Sequence, residues 1–281
     1  MFKKVISVAL CFIMLFGVLS VTASAAEQTR YLVLGDSIAY GLGLSNAEQA
    51  VYGKIVADTN GYAYENYAVP GHTTGNMMSR MENETVKEAI KNADIINISI
   101  GGNNFLLGNL NALLFDAIVK ADYSRFDKIA ESFYVDLDTI VNTIRGLNPD
   151  AVILLQTIYN PQTSYIGEAY QQGADRLNAK IAKFAQENPN QILVVDVAKY
   201  LTDSDNDFAN DRIHPSAAGN EKIAEAVLQV LYENGLGSET VPVISEQGKD
   251  AGGAKMFAFS VNLYGKVLHM LSVIRNFFIR K

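Results

Sequence analysis

The chain has 281 residues, 49% hydrophobic and 19% charged, with a formal net charge of −7; it is long enough for one α/β domain with a sizeable core, and its composition excludes a disordered chain. Charge is unevenly placed: residues 27–248 carry 15 Lys and Arg against 29 Asp and Glu (−14), whereas residues 249–281 carry 6 against 1 (+5). An acidic body argues against nucleic acid as a partner, and the only cysteine, Cys11, lies in the N-terminal leader, so the mature chain has no disulfide or thiolate metal site.

Lys3 and Lys4 precede an apolar run from Val5 to Val21, and Ala23-Ser24-Ala25 supplies an A-x-A cleavage signal. Residues 1–25 therefore read as a secretory signal peptide, and the mature protein as secreted or held at the cell surface. The body follows at 26–235. Tyr31 to Leu34 is a wholly apolar run, as expected of a strand buried on both faces, and it stops at the small triplet Gly35-Asp36-Ser37. Ser45-Asn46-Ala47-Glu48 reads as a capping box before a helical stripe of Tyr52, Ile55, Val56 and Thr59. Tyr62 to Val69 is a second strand, closing at Pro70-Gly71. Thr73 or Thr74 then caps a single helix carrying Met77, Met78, Met81, Ala89 and Ile90.

Ala93 to Ile100 is a third strand, ending in Gly101-Gly102-Asn103-Asn104. A helical stretch from Phe105 to Arg145, broken near Ala121-Asp122, exceeds what a crossover needs, so part of it is free to flank a crevice. Ala151 to Gln156 is a fourth strand, and a long helix over about 168–186 leads to a fifth, Ile192 to Val197. The last body helix buries Ile223, Val227, Val230 and Leu231 and stops at Asn234-Gly235. Five alternations of strand and helix predict a three-layer α/β/α domain with a five-stranded parallel sheet.

In such a sheet consecutive strands deliver their carboxyl ends to one edge. Ser37, Gly71, Asn103 and His214 all fall at strand ends or just ahead of helices, and their types are those acyl transfer needs. Serine is a weak nucleophile until a base takes its proton, and His214 is the candidate base. An imidazole needs a carboxylate to fix its tautomer, and Asp211 is three residues upstream. The N–H groups of Ser37 and Gly71 and the amide of Asn103 are candidate donors to an oxyanion. Phosphate-binding glycine loops are absent from the sequence, and Phe208 stands where an EF-hand loop over Asp203, Asp205 and Asp207 needs glycine.

At these residues the chain resembles the GDSL, or SGNH, hydrolase family. Gly35-Asp36-Ser37-Ile38 matches its first block, and Asn66, Gly71, Thr73 and Thr74 its second. Gly101 to Asn104 matches the third, and Asp211 to His214 the Asp-x-x-His block. The resemblance implies a flavodoxin-like sheet of order 2-1-3-4-5 and a serine esterase with neither metal nor organic cofactor. In it Ser37 is the nucleophile, Asp211 and His214 complete the triad, and Ser37, Gly71 and Asn103 form the oxyanion hole. Ile38 replaces the family's usual leucine, and Asn104 stands where the third block usually has aspartate. The expected substrate is an ester, an acyl lipid before an acylated glycan; the alternatives are an O-acetylesterase or acyltransferase on cell-wall glycan, and a catalytically silent binding module.

Residues 236–255, rich in small and polar types, read as a linker. Over 256–281 a narrow polar stripe of Asn262, Lys266, His269, Asn276 and Arg280 faces Phe257, Phe259, Leu263, Leu268, Leu271, Phe277 and Phe278. Lys266 and His269 fall too near the middle for a membrane span. A basic amphipathic helix lying in an anionic membrane interface fits better, the alternative being a helix packed on the protein's own surface or over the crevice as a lid.

Overall fold

Short apolar runs make four strands of the sheet, and a half-polar edge strand completes it. β1 (Arg30–Gly35), β2 (Ala63–Asn66), β3 (Ile95–Ser99), β4 (Val152–Gln156) and β5 (Ile192–Val195) pair in parallel in the order β2-β1-β3-β4-β5. This is the α/β architecture and strand order expected. The computed structural model describes residues 28–251 and 255–279, the latter without the side chains of 255–262 and 278–279; the leader 1–25 with Cys11 lies outside the described residues, as do the side chains of Phe257, Phe259, Asn262, Phe278 and Arg280.

Side chains alternate across the strands, and so two cores form, one on each face of the sheet. Leu32, Leu34, Ile96, Ile98, Ile153 and Leu155 pack on one side with α8 (Ser124–Leu147) and α9 (Gly167–Glu187). Tyr31, Val33, Ile95, Leu154 and Val195 pack on the other with α3 (Tyr52–Asn60) and α11 (Ala217–Glu233). Two buried amides in the central strands pair with each other: fully buried Asn97 donates to the Tyr31 hydroxyl at 2.7 Å and accepts from Gln156 Nε2 at 2.9 Å.

The remaining helices are α1 (Ser37–Tyr40), α2 (Ala47–Ala50), α4 (Thr74–Met81), α5 (Glu84–Asn92), α6 (Gly102–Leu106), α7 (Leu110–Phe115), α10 (Val197–Tyr200) and α12 (Lys255–Ile279). The single helix expected after Thr73 is two. Asn83 ends the first by accepting the N–H groups of Thr85 and Val86, which nucleates α5. The break expected near Ala121 is there: α7 runs into a π turn, Asp116–Lys120, and Ala121 stops it at φ +55°. A second break that was not expected separates α6 from α7 over 107–109, where Asn109 restarts the helix by accepting the Ala112 N–H.

Ser45 does not cap α2. Its hydroxyl and N–H both reach the Lys249 carbonyl, while Asn46 exchanges hydrogen bonds with Gln247 and Lys249. The cause is the segment read as a linker, whose backbone must find partners as it crosses the body. Ala251 N–H donates to the Gly43 carbonyl at 2.7 Å, and Val243 N–H to the Thr59 hydroxyl at 2.9 Å. The segment carries α12 to one wall of the domain. There Leu268 is 2% exposed, Tyr264 donates to the Asn111 carbonyl, and Arg275 donates to that of Val119 at 2.7 Å. Among the described residues no helix is long and apolar enough to cross a membrane.

Candidate active site

The site begins where β1 passes closest to β3. Gly35 sits at φ +143°, and a Cβ there would lie 2.0 Å from the Ser99 carbonyl oxygen, so only glycine fits. Asp36 N–H donates to that same oxygen, and the Asp36 carboxylate accepts the N–H of Ile38, capping α1. Strand, turn and cap together place Ser37 at the first position of α1, 7% exposed. Asn66, at the end of β2, holds α1 from its far end by donating to the Ala39 carbonyl at 2.8 Å.

His214 arrives from the opposite end of the chain. Its Nε2 lies 2.9 Å from Ser37 Oγ, and its Nδ1 lies 2.6 Å from Asp211 Oδ2. The other Asp211 oxygen accepts the N–H groups of Ile213 and His214, which closes the Asp211–His214 turn on itself. Burial by itself would raise the Asp211 pKa; hydrogen bonds from His214 and from the two backbone amides outweigh it and hold the carboxyl below its ordinary value. The turn is strained at Arg212, φ +59°. It is pinned by the Tyr159 hydroxyl on the Ile213 carbonyl (2.8 Å) and by Gln162 on the Arg212 carbonyl (3.2 Å). Ser216 caps α11, which leaves the His214 ring free for Ser37.

Asn103, 9% exposed, donates from its side-chain amide to the His72 carbonyl at 3.0 Å. This ties the third-block loop to the turn that contains Gly71. Gly71 itself is exposed at φ +81° and is not in the wall of the cavity that Ser37, Asn103, Asp211 and His214 share. Among the described residues the amide N–H groups of Ser37 and Gly71 donate to no acceptor. Asn104 ties its loop to the start of α4: it accepts the Thr74 N–H at 3.2 Å and donates to the Thr74 hydroxyl at 2.8 Å, and that hydroxyl donates to Asp136 on α8.

The shared cavity is about 380 Å³, and its remaining lining is mostly apolar, with Leu106, Leu107, Leu110, Ile158, Tyr170 and Ile213. A sequence model of the GDSL-like Lipase/Acylhydrolase family matches residues 33–222, from β1 into α11. The chain belongs to that family. Uncharacterized protein YpmR of Bacillus subtilis (strain 168) is 24% identical over 224 residues, 76% of this chain and 85% of that one. Among solved structures, the lipase Lip_vut3 from a goat rumen metagenome superposes with a TM-score of 0.63 at 20% identity, covering 73% of this chain and 98% of its own. The family 3 carbohydrate esterase of Clostridium thermocellum gives 0.53 at 18% identity, covering 75% and 100%.

This GDSL hydrolase is thus of the esterase and lipase type. Its apolar cavity lining was invisible as such in the sequence: Leu106, Leu107 and Leu110 follow Gly101 to Asn104, but only the irregular path of α6 and α7 brings them to the cavity wall, Leu107 at its exposed rim. The calcium-like spacing at Asp203, Asp205 and Asp207 serves the loop itself. Asp203 caps its own turn, and fully buried Asp207 pairs with Lys222 at 2.7 Å.

Asp36 beside the serine is a buried carboxyl whose pKa burial pushes up to about 7, against the lowering effects of the Ile38 N–H and of His214. Between the ordinary carboxylate pKa and about 7 the folded chain holds a proton the unfolded chain has lost, so stability falls as pH rises through that window. Asp36→Asn keeps the cap acceptor and removes the charge. Urea melts at pH 5 and pH 8 should show the variant gaining relative stability at the higher pH, and a constant difference would refute the assignment.

Proposed function

We propose that this GDSL hydrolase is a secreted or cell-surface serine esterase acting on acyl lipids. The observation that carries the reading is the unbroken line from the Ser37 hydroxyl to the His214 imidazole to the Asp211 carboxylate, at the wall of an apolar cavity. His214 takes the Ser37 proton as Oγ attacks the ester carbonyl, and the carbonyl π electrons move to oxygen. The Asn103 amide, which keeps one N–H beyond its bond to His72, and the unpaired Ser37 N–H serve that oxyanion. Gly71 contributes its own N–H if the turn held by Asn103 closes on the substrate. His214 then protonates the departing alcohol, and water repeats the sequence on the acyl-enzyme.

An apolar cavity of this size falls in the range of small-molecule sites and suits an aliphatic acyl chain. Secretion rests on reading residues 1–25 as a signal peptide, from Lys3 and Lys4, the apolar run and the Ala23-Ser24-Ala25 cleavage signal. A series of p-nitrophenyl esters from acetate to dodecanoate, run beside a lysophospholipid and an acetylated glycan, tests the substrate class. Turnover should rise with chain length and include the lysophospholipid. Preference for acetate and for the glycan would move the assignment to an O-acetylesterase.

A further inference from the structure

Over its described side chains, 263–277, helix α12 has two apolar faces, of which the domain covers one. Its inner face is made by Tyr264, Gly265, Leu268 and Arg275, which meet Asn111, Tyr165, Ile166 and Val119. Leu263, Val267, Met270 and Ile274 recur at spacings of four, three and four, so they share one stripe on a side turned away from that contact. They are 54%, 43%, 57% and 45% exposed, and Leu271 beside them is 36% exposed. Aliphatic side chains held in water along three turns of helix mark an interaction surface.

We infer that this stripe is a docking surface for an anionic lipid bilayer. Charge selects the occupant. Residues 249–281 carry +5 on a body of −14, and Lys266 is exposed beside the stripe, whereas His269 packs its ring on Tyr165 at the domain contact. A second acidic body would be repelled by its twin, whereas anionic headgroups attract the basic edge and turn the acidic remainder outward. The apolar stripe enters the acyl boundary while Lys266 reaches the headgroups with its stem along the helix.

The helix rests on the part of the chain that shapes the cavity. Tyr264 bonds to Asn111 in α7, one residue after the cavity-lining Leu110, and Leu107 in the same wall is 62% exposed. Docking therefore brings the wall of the acyl cavity toward the lipid, which deepens the acyl-lipid reading and rests on it for its purpose. The test separates the two. Full-length protein carrying Ser37→Ala is cosedimented with vesicles of phosphatidylglycerol and phosphatidylcholine, and with phosphatidylcholine vesicles alone.

Binding should favour the anionic vesicles and fall as salt rises. Adding Val267→Glu and Ile274→Glu should weaken it at least about tenfold, because two charges enter the apolar boundary. In a Ser37-containing chain the same two substitutions should leave hydrolysis of dissolved p-nitrophenyl butyrate unchanged, which also reports the fold. Equal binding by variant and parent, or equal binding to both vesicle types, overturns the inference. So does a parent dimer that the variant converts to monomer while vesicle binding persists, since the stripe is then a self-contact. Failure of the Ser37 assignment would show instead as hydrolysis by the Ser37→Ala chain, with vesicle binding untouched.

Discussion

Ser37→Ala is expected to reduce hydrolysis of p-nitrophenyl butyrate to what binding and the oxyanion donors alone provide, about 10³–10⁴-fold over the reaction in water. The substitution removes one oxygen from a residue that is 7% exposed and that bonds through this oxygen to His214. Nothing else depends on it. The cap of α1 is made by Asp36, and the turn before it by the Gly35 approach to Ser99. Melting temperature should therefore hold while kcat collapses, and a fluorophosphonate probe should label the parent at residue 37 and leave the variant bare. Turnover at the parental rate would remove Ser37 from the mechanism.

The second large effect is expected at Asp211→Asn, about 10⁴-fold in kcat. One carboxylate oxygen closes the turn by accepting the Ile213 and His214 amides, and an asparagine oxygen does the same. The other oxygen accepts the His214 Nδ1 proton, and there asparagine offers NH₂ instead. The imidazole must then accept at Nδ1 and carry its proton on Nε2, the nitrogen facing Ser37, where it is useless as a base. Asp211→Ala would be the poorer experiment. It orphans two backbone N–H groups at about 1–3 kcal/mol each, so lost activity would mix with lost structure.

The pH dependence carries a further sign. Because Asp211 is held below its ordinary value in the folded chain, the stability it contributes is complete at neutral pH. It is lost only as the pH falls through the depressed value. Denaturant melts of the parent and the asparagine variant should diverge above the ordinary carboxylate range and converge in acid; parallel curves would deny the carboxylate its partner.

Much of this was legible because the relevant signals are local. Tyr31 to Leu34 and Ile95 to Ile98 are apolar at nearly every position, and a parallel sheet buried on both faces permits little else. Gly35, Asp36 and Ser37 are set by a close approach and a cap that span only neighbouring positions. Once consecutive strands run parallel, their carboxyl ends share an edge, so residues as distant as Ser37 and His214 were expected to meet, and their rings and hydroxyls lie 2.9 Å apart.

Other features had no local signature. Asn83 restarts a helix inside a pattern that is periodic from Thr74 to Ile90, because one amide bonding two N–H groups outcompetes continuation. Ser45 abandons a cap for a carbonyl more than two hundred residues away, and Asn103 spends one N–H on the His72 carbonyl. The linker-like composition of 236–255 gave no hint that its backbone over 236–251 crosses the body, bonding to Thr59, Asn46 and Gly43 on the way. The sequence by itself determined the five strands, the strand edge at which Ser37 and His214 meet and the residue types that stand there. Only tertiary structure decided which leucines line the cavity beside Ser37 and which stripe of the last helix stays in water. Those outcomes depend on long-range partners, and a side chain's own periodicity is the same whichever face its neighbours cover.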